Sequence, residues 1–538
     1  NAQNMEYMFN NCKSINSLTI SNLDTTHLTN MAHMFDSCEA LNQLYLSGLN
    51  TEHVTNMEYT FNNCKSIASL DLSNFDTSSV ETMKYMFNEC NNLKLISQFD
   101  TKNVLDMEKM FNNCNKMISL DTTKFDTSKV TNMAYMFNNC EKLSNLGSST
   151  FTTNAQNMEY MFNNCKSINS LTISNLDTTH LTNMAHMFDS CEALNQLYLS
   201  GLNTEHVTNM EYTFNNCKSI ASLDLSNFDT SSVQTMKCMF NDCNNLQLTS
   251  QFDTKNVLDM EGMFNNCNEL ISLDRTKFDT SKVTNMAHMF NNCEKLSDLG
   301  SSAFITNAQN MEYMFNNCKS INSLTISNLD TTHLTNMAHM FDSCEALNQL
   351  YLSGLNTEHV TNMEYTFNNC KSIASLDLSN FDTSSVETMK YMFNECNNLK
   401  LISQFDTKNV LDMERMFNNN HEMTSLDTTK FDTSKVENMA YMFNKCEKLS
   451  NLGSSTFNTN AKNMEYMFNN CNEITSITIS NFDSTHLTNM AHMFDSCNKL
   501  DKIYLSGLNT RNVLNMEYTF NNCNSITSLD LSNFDTSS

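Results

Sequence analysis

One stretch of sequence, copied along the chain, decides what this chain can become. Residues 56–75, NMEYTFNNCKSIASLDLSNF, recur with light edits from one end to the other. A unit this short cannot bury its own apolar face, so it must stack on copies of itself. The cysteines set the period: Cys12, Cys38, Cys64, Cys90, Cys114, Cys140 and Cys165 follow one another at 26, 26, 26, 24, 26 and 25 residues. The pattern then restarts, and residues 1–80, 154–233 and 307–386 are identical. This predicts one continuous solenoid over 1–538, built as blocks 1–153, 154–306, 307–459 and a partial 460–538 with no linkers. Each block carries irregularities, since the turn starting at Cys90 is two residues short and that at Cys140 one. Differences between blocks fall mostly at outward positions, such as Lys109 against Gly262 and Tyr135 against His288.

Within one turn, Met57, Phe61 and Cys64 stand at i, i+4 and i+7, and Met5, Met8, Phe9 and Cys12 of a sister turn fill i+3 as well. That spacing predicts one face of a two-turn helix. Ile67, Leu70 and Leu72 follow, the last two alternating as a short strand, and Phe75 completes the expected core ladder. The fold class expected is an α/β repeat solenoid of 24–26 residues per turn, with parallel short strands on the concave side and short helical arms on the convex side.

Residues 64–87, CKSIASLDLSNFDTSSVETMKYMF, resemble the bacterial surface-protein 26-residue repeat, a BspA-like branch of the leucine-rich repeats. Asp71, Leu72, Ser73, Asn74, Phe75, Asp76, Thr77 and Ser78 carry the most distinctive part, and the resemblance extends over all 538 residues. It implies a leucine-rich-repeat solenoid, secreted or displayed on a cell surface, and used for adhesion or protein contacts.

Net charge is −27, without a basic patch to follow a phosphate backbone, which disfavours nucleic acid as a partner. No apolar run approaches the length of a membrane span. Proline is absent and glycine numbers only 8, so Asn, Ser, Thr and Asp must make the turns. The chain starts and stops inside the repeat, which reads as part of a longer array or as a unit that stacks head to tail.

Four columns recur along the repeat. Of 21 cysteines all but Cys238 are in register, and Asn420 fills the one vacant rung. One cysteine per turn lacks zinc-ligand spacing, and neighbouring Cβ atoms about 5 Å apart exceed the ~3.8 Å of a disulfide. A ladder of buried free thiols is expected, weighed against disulfide pairing and metal. Cys238 replaces an outward tyrosine and is a candidate exposed thiol. Asp24, Asp76, Asp100 and Asp126 each precede Thr, as an Asx turn or cap requires; calcium between rungs is the alternative, without the usual ligand loop. His27 and His53 read as solvated surface positions. Tyr7, Tyr59, Tyr85 and Tyr135 form an outward stripe, interrupted by His33 and Lys109, suited either to a partner or to covering the methionines.

No nucleophile elbow, phosphate loop or zinc-protease motif is present, and no cofactor or metal is implied. The expected function is non-enzymatic: the shaft of an extracellular or cell-surface fibre or stalk, with self-stacking as its main contact. The alternative is an adhesin that binds a host or matrix protein, or a polysaccharide, through the repeat surface.

Overall fold

The computed structural model describes residues 2–21, 23–95, 99–123, 125–147, 155–173, 180–199, 202–248, 252–273, 278–300, 307–326, 332–352, 355–401, 405–453, 456–457, 460–479, 486–505, 508, 510–532 and 534–535. The chain forms two compact units, Asn1–Phe278 and Asp279–Ser538. The shortened stretch after Cys90 includes residues 96–98, and that after Cys140 leads into 148–154; both lie outside the described residues.

In unit 1 the strands are β1 (Ser17–Thr19), β2 (Gln43–Tyr45), β3 (Ser170–Thr172), β4 (Gln196–Tyr198), β5 (Ser222–Leu223) and β6 (Gln247–Leu248). They pair in parallel, and like residues meet: Leu18 faces Leu44, and Leu171 faces Leu197. Unit 2 repeats this with β7 (Ser323–Thr325), β8 (Gln349–Tyr351), β9 (Ser375–Leu376), β10 (Lys400–Leu401), β11 (Thr456–Phe457), β12 (Ser476–Ile479) and β13 (Lys502–Tyr504), again in parallel. A second parallel ladder runs on the other side of each turn, through Asn4, Asn30, Asn56, Thr82, Asp106 and Asn132 in unit 1. Its register holds across the short turn, with Thr82 paired to Asp106.

The arms correct the expectation of short helices: no α-helix occurs among the described residues. Along Met31–Cys38 alternate N–H groups divide their work. Met34, Asp36 and Cys38 donate three residues back, to the carbonyls of Met31, His33 and Phe35 at 3.1, 3.2 and 3.2 Å. Met31, His33, Phe35 and Ser37 donate to the next rung, to the carbonyls of Asn56, Glu58, Thr60 and Asn62 at 3.0, 2.9, 2.9 and 2.8 Å. His33 and Ser37 are left-handed, with φ of 54° and 59°. The arm is a run of overlapping β-turns that still points Met31, Met34, Phe35 and Cys38 inward, which is why its apolar spacing mimics a helix. A true helix spends its N–H groups on its own carbonyls. Helices also pack about 8–10 Å apart, twice the ~4.8 Å between strands. The turn run matches the strand spacing and pairs its outward donors with the neighbouring rung.

The left-handed positions explain the asparagines. Asn11, Asn63, Asn113 and Asn139 hold φ between 57° and 61°, a conformation Asn tolerates better than most residues, so the arm needs almost no glycine. Between arm and strand, Asp76 Oδ1 accepts the Ser78 N–H at 2.9 Å, an Asx turn, and the same geometry recurs at Asp24, Asp100 and Asp126. Buried Thr77 then clamps the next rung: its hydroxyl donates to the Asp100 carbonyl at 2.8 Å and accepts the Asp100 N–H at 3.0 Å.

The core is a set of columns. Met57, Phe61, Cys64, Ile67, Leu70 and Leu72 are all buried. Phe35, Phe61 and Phe87 stack nearly parallel, with centroids 5.4 and 5.5 Å apart. Phe75 is half-buried on the floor of a recess, while its counterparts Phe228 and Phe381 are buried at 8% exposure. The cysteines are free thiols, and those of the ladder from Cys38 on bond to the rung before, as Cys64 Sγ does to the Phe35 carbonyl at 3.2 Å and Cys90 Sγ to the Phe61 carbonyl at 3.0 Å.

Asn420 takes over that role in the vacant rung. Its Nδ2 donates to the carbonyls of Phe393 and Phe417 at 2.9 and 2.8 Å, but its fully buried Oδ1 has no partner. A thiol keeps a donor and removes the orphan acceptor, which costs about 1–3 kcal/mol when left unpaired. Asn420→Cys is therefore expected to stabilise its turn by about that amount, read as slower hydrogen exchange at residues 416–423. Unchanged or faster exchange refutes it.

Candidate contact surfaces

The outward stripe is built by the left-handed arm positions. Tyr7, Tyr59, Tyr85 and Tyr135 have φ between 53° and 60°, a costly conformation for a bulky side chain. Their rings stack face to face along the rungs, which returns about 0.5–1.5 kcal/mol per pair. His33 does not interrupt the stripe; its ring lies 4.5 Å from Tyr7 and 4.4 Å from Tyr59. Nor does Lys109, whose ammonium sits 4.9 and 4.8 Å from the Tyr85 and Tyr135 rings and donates to the Tyr85 hydroxyl at 2.8 Å. Arg415 bridges Tyr391 and Tyr441 in the same way in unit 2. Planar, flat-stacking or cationic side chains all continue the column, and the faces of its rings are spent on one another. Burial among neighbours raises the Tyr59 and Tyr135 phenols to about 12. Cys238 holds the same register at φ 50° and is half-buried beside Tyr212, with burial raising its thiol.

Beneath the stripe runs a column that sequence reasoning missed. Asn88 Nδ2 donates to Asn62 Oδ1 at 2.7 Å, Asn112 to Asn88 at 2.6 Å, and Asn138 to Asn112 at 2.6 Å. Asp36 heads this ladder, accepting from Asn62 at 2.8 Å and pairing with His33 Nδ1 at 2.7 Å. His186–Asp189, His339–Asp342 and His492–Asp495 repeat the pair at 2.8–2.9 Å. The signal available was the pair of residues before the cysteine, such as Asn62–Asn63 and Asn138–Asn139, of which one ladders inward and the other adopts the left-handed turn.

On the strand face the outward residues differ from rung to rung, and among the described residues recesses form at corresponding places in the first three blocks. Tyr45, at the end of β2, stands 56% exposed. With Asp71 and Asn74 of the next turn it borders a recess of about 180 Å³, floored by Leu44, Leu46 and Phe75. Tyr198, Asp224 and Asn227 border a counterpart of about 110 Å³, and Tyr351, Asp377 and Asn380 one of about 160 Å³ in unit 2. Asp71 Oδ1 accepts the Ser73 N–H at 2.9 Å. The N–H and hydroxyl of Ser226 hold the Asp224 carboxyl below the usual carboxylate range.

Among known families, the model described as "Mycoplasma protein of unknown function, DUF285" matches residues 3–119, 66–174, 156–273, 221–325, 260–376, 309–401, 374–478 and 462–538. No curated protein matches the chain. Solved structures similar to it include a leucine-rich repeat protein from Bacteroides ovatus, 13% identical over 84% of this chain and 81% of that one, with a TM-score of 0.30. A leucine-rich repeat protein from Eubacterium ventriosum is 16% identical over 53% and 78%, also at 0.30. A leucine rich cell surface protein from Faecalibacterium prausnitzii is 13% identical over 76% and 77%, at 0.22.

Proposed function

From a chain that belongs to the family of Mycoplasma proteins of unknown function, DUF285, we propose a non-enzymatic, extracellular or cell-surface protein whose repeats form the shaft of a fibre or stalk. The observation that carries this is the sameness of the columns. Methionine, phenylalanine, thiol and amide ladders repeat rung after rung within each unit, and three stretches of 80 residues are identical in sequence. Copies held this closely serve length and stiffness, because each added block extends the same nearest-neighbour stack. The groups that line these columns are alike at every rung, whereas catalysis gathers unlike groups in one pocket. No helix of the described residues is long and apolar enough to cross a membrane.

Electron microscopy of the protein purified from its native source tests this reading. Filaments many blocks long are expected, and compact particles would refute it. Denatured mass then separates one long polypeptide from head-to-tail assembly of shorter chains. A second reading, an adhesin acting through the repeat surface toward a protein or a polysaccharide, draws support from the recesses that recur on the strand face of the first three blocks.

A further inference from the structure

We propose that the recesses bordered by Tyr45, Tyr198 and Tyr351 bind sugar rings of a neutral polysaccharide, one ring per recess. The inference rests on the adhesin reading and names its ligand. Each recess pairs an aromatic face that projects more than half exposed from a strand with a carboxylate and an amide at its rim and aliphatic side chains on its floor. That is the donor and acceptor set a pyranose asks for. The C–H face of a sugar packs on an aromatic ring whose other end stays wet. Its hydroxyls donate to the carboxylate in charge-assisted bonds and exchange bonds with the amide.

Size and charge narrow the class. Volumes of about 110–180 Å³ fall below the ~300–1,000 Å³ of pockets for drug-sized ligands, so one ring is held rather than a folded ligand. An acidic rim on a chain of net charge −27 repels sulfated, phosphorylated or uronic polymers.

Spacing adds a second criterion. Within unit 1 the recesses at Tyr45 and Tyr198 recur six turns apart, roughly 29 Å at ~4.8 Å per rung. No single short oligosaccharide fills both, whereas a polymer meets both and gains by avidity.

Affinity electrophoresis of the full chain in gels containing mannan, laminarin or galactomannan, with heparin as the anionic control, tests the proposal. Retardation by at least one neutral polymer and none by heparin is expected. Replacing Tyr45, Tyr198, Tyr351 and the equally exposed Tyr504 by Ala should weaken that retardation by roughly tenfold per recess. Replacing the same four by Phe should preserve it. A second variant, Asp71→Ala with Asp224→Ala and Asp377→Ala, reads the same recesses through their hydrogen bonds and should also weaken it. All these side chains are exposed, so the circular dichroism spectrum should stay that of the parent, and the melting profile should shift only in the Asp variant, which loses the turn bonds to Ser73, Ser226 and Ser379. No retardation by any neutral polymer, retardation by heparin alone, or undiminished retardation of the Tyr→Ala variant overturns the proposal. Filament length, which tests the shaft, does not depend on these results.

Discussion

Raising the pH from about 9 towards 12 is expected to strip the array of stability, by about 1.4 kcal/mol per pH unit for each buried thiol. The cause is the cysteine column. Cys64, Cys90 and Cys114 are fully buried, and burial pushes Cys38 up to about 11 and Cys90 to about 12 from an ordinary value of 9. Below pH 9 both folded and unfolded chains keep these protons, and stability is at its full value. Above it the unfolded chain releases protons that the folded chain retains, so unfolding gains until the folded thiols also titrate. The stacked phenols Tyr59 and Tyr135, raised from 10 to about 12, act with the same sign over the upper part of that window. Denaturant titrations at pH 7, 9, 10 and 11 should show a flat profile first and then a steep fall. Cys64→Ala should make the fall shallower by one thiol's share at its turn. Full stability at pH 11 would mean that the thiols are not buried as described.

Phe61→Ala is expected to cost about 3–5 kcal/mol, and the loss should stay local. Phe61 is fully buried between Phe35 and Phe87, so truncation opens a cavity that neither neighbour can fill without leaving its own stack. Each rung touches mainly the rungs beside it, so the damage decays along the array. Hydrogen exchange should accelerate over the turns that carry Phe35, Phe61 and Phe87 and remain unchanged near Phe162. Uniform acceleration across unit 1 would show cooperativity longer in range than a stack of neighbours provides.

The inward positions were legible in the sequence because burial of Met57, Phe61, Cys64, Ile67, Leu70 and Leu72 follows from apolar spacing alone. The conformation joining them was not. Spacing at i, i+3, i+4 and i+7 is shared by a helix and by overlapping β-turns, and periodicity cannot separate the two. The deciding cue lay in residue type: a turn run with two left-handed positions favours Asn, a poor helix former, and Asn63 and Asn139 supply it. His33 and Lys109 read as interruptions of the stripe because neither is a tyrosine. The stack accepts anything that satisfies a ring face, so an imidazole stacks between two tyrosine rings and an ammonium holds the same place by cation–π attraction. The strand-face recesses were hidden for a different reason: Tyr45 and Asp71 belong to different turns, and only the register brings them to one rim.

The arm bonds also give each unit an electrical direction. Met31, His33, Phe35 and Ser37 all donate forward, and so do Met57, Tyr59, Phe61 and Asn63 toward the carbonyls of Thr82, Lys84, Met86 and Asn88. Peptide dipoles of about 3.5 D each therefore add along the stack instead of cancelling, as they do between the strands of ordinary sheets. The side-chain amides of the Asn62–Asn88–Asn112 ladder point backward, one against four at each rung, and offset only part of the sum. The positive pole faces C-terminally, opposite to that of an α-helix. A further rung can join such an arm only in the same sense, since a reversed one would set N–H against N–H. Polarity is thus a property of the backbone itself, and any fibre assembled through these arms has two unlike ends.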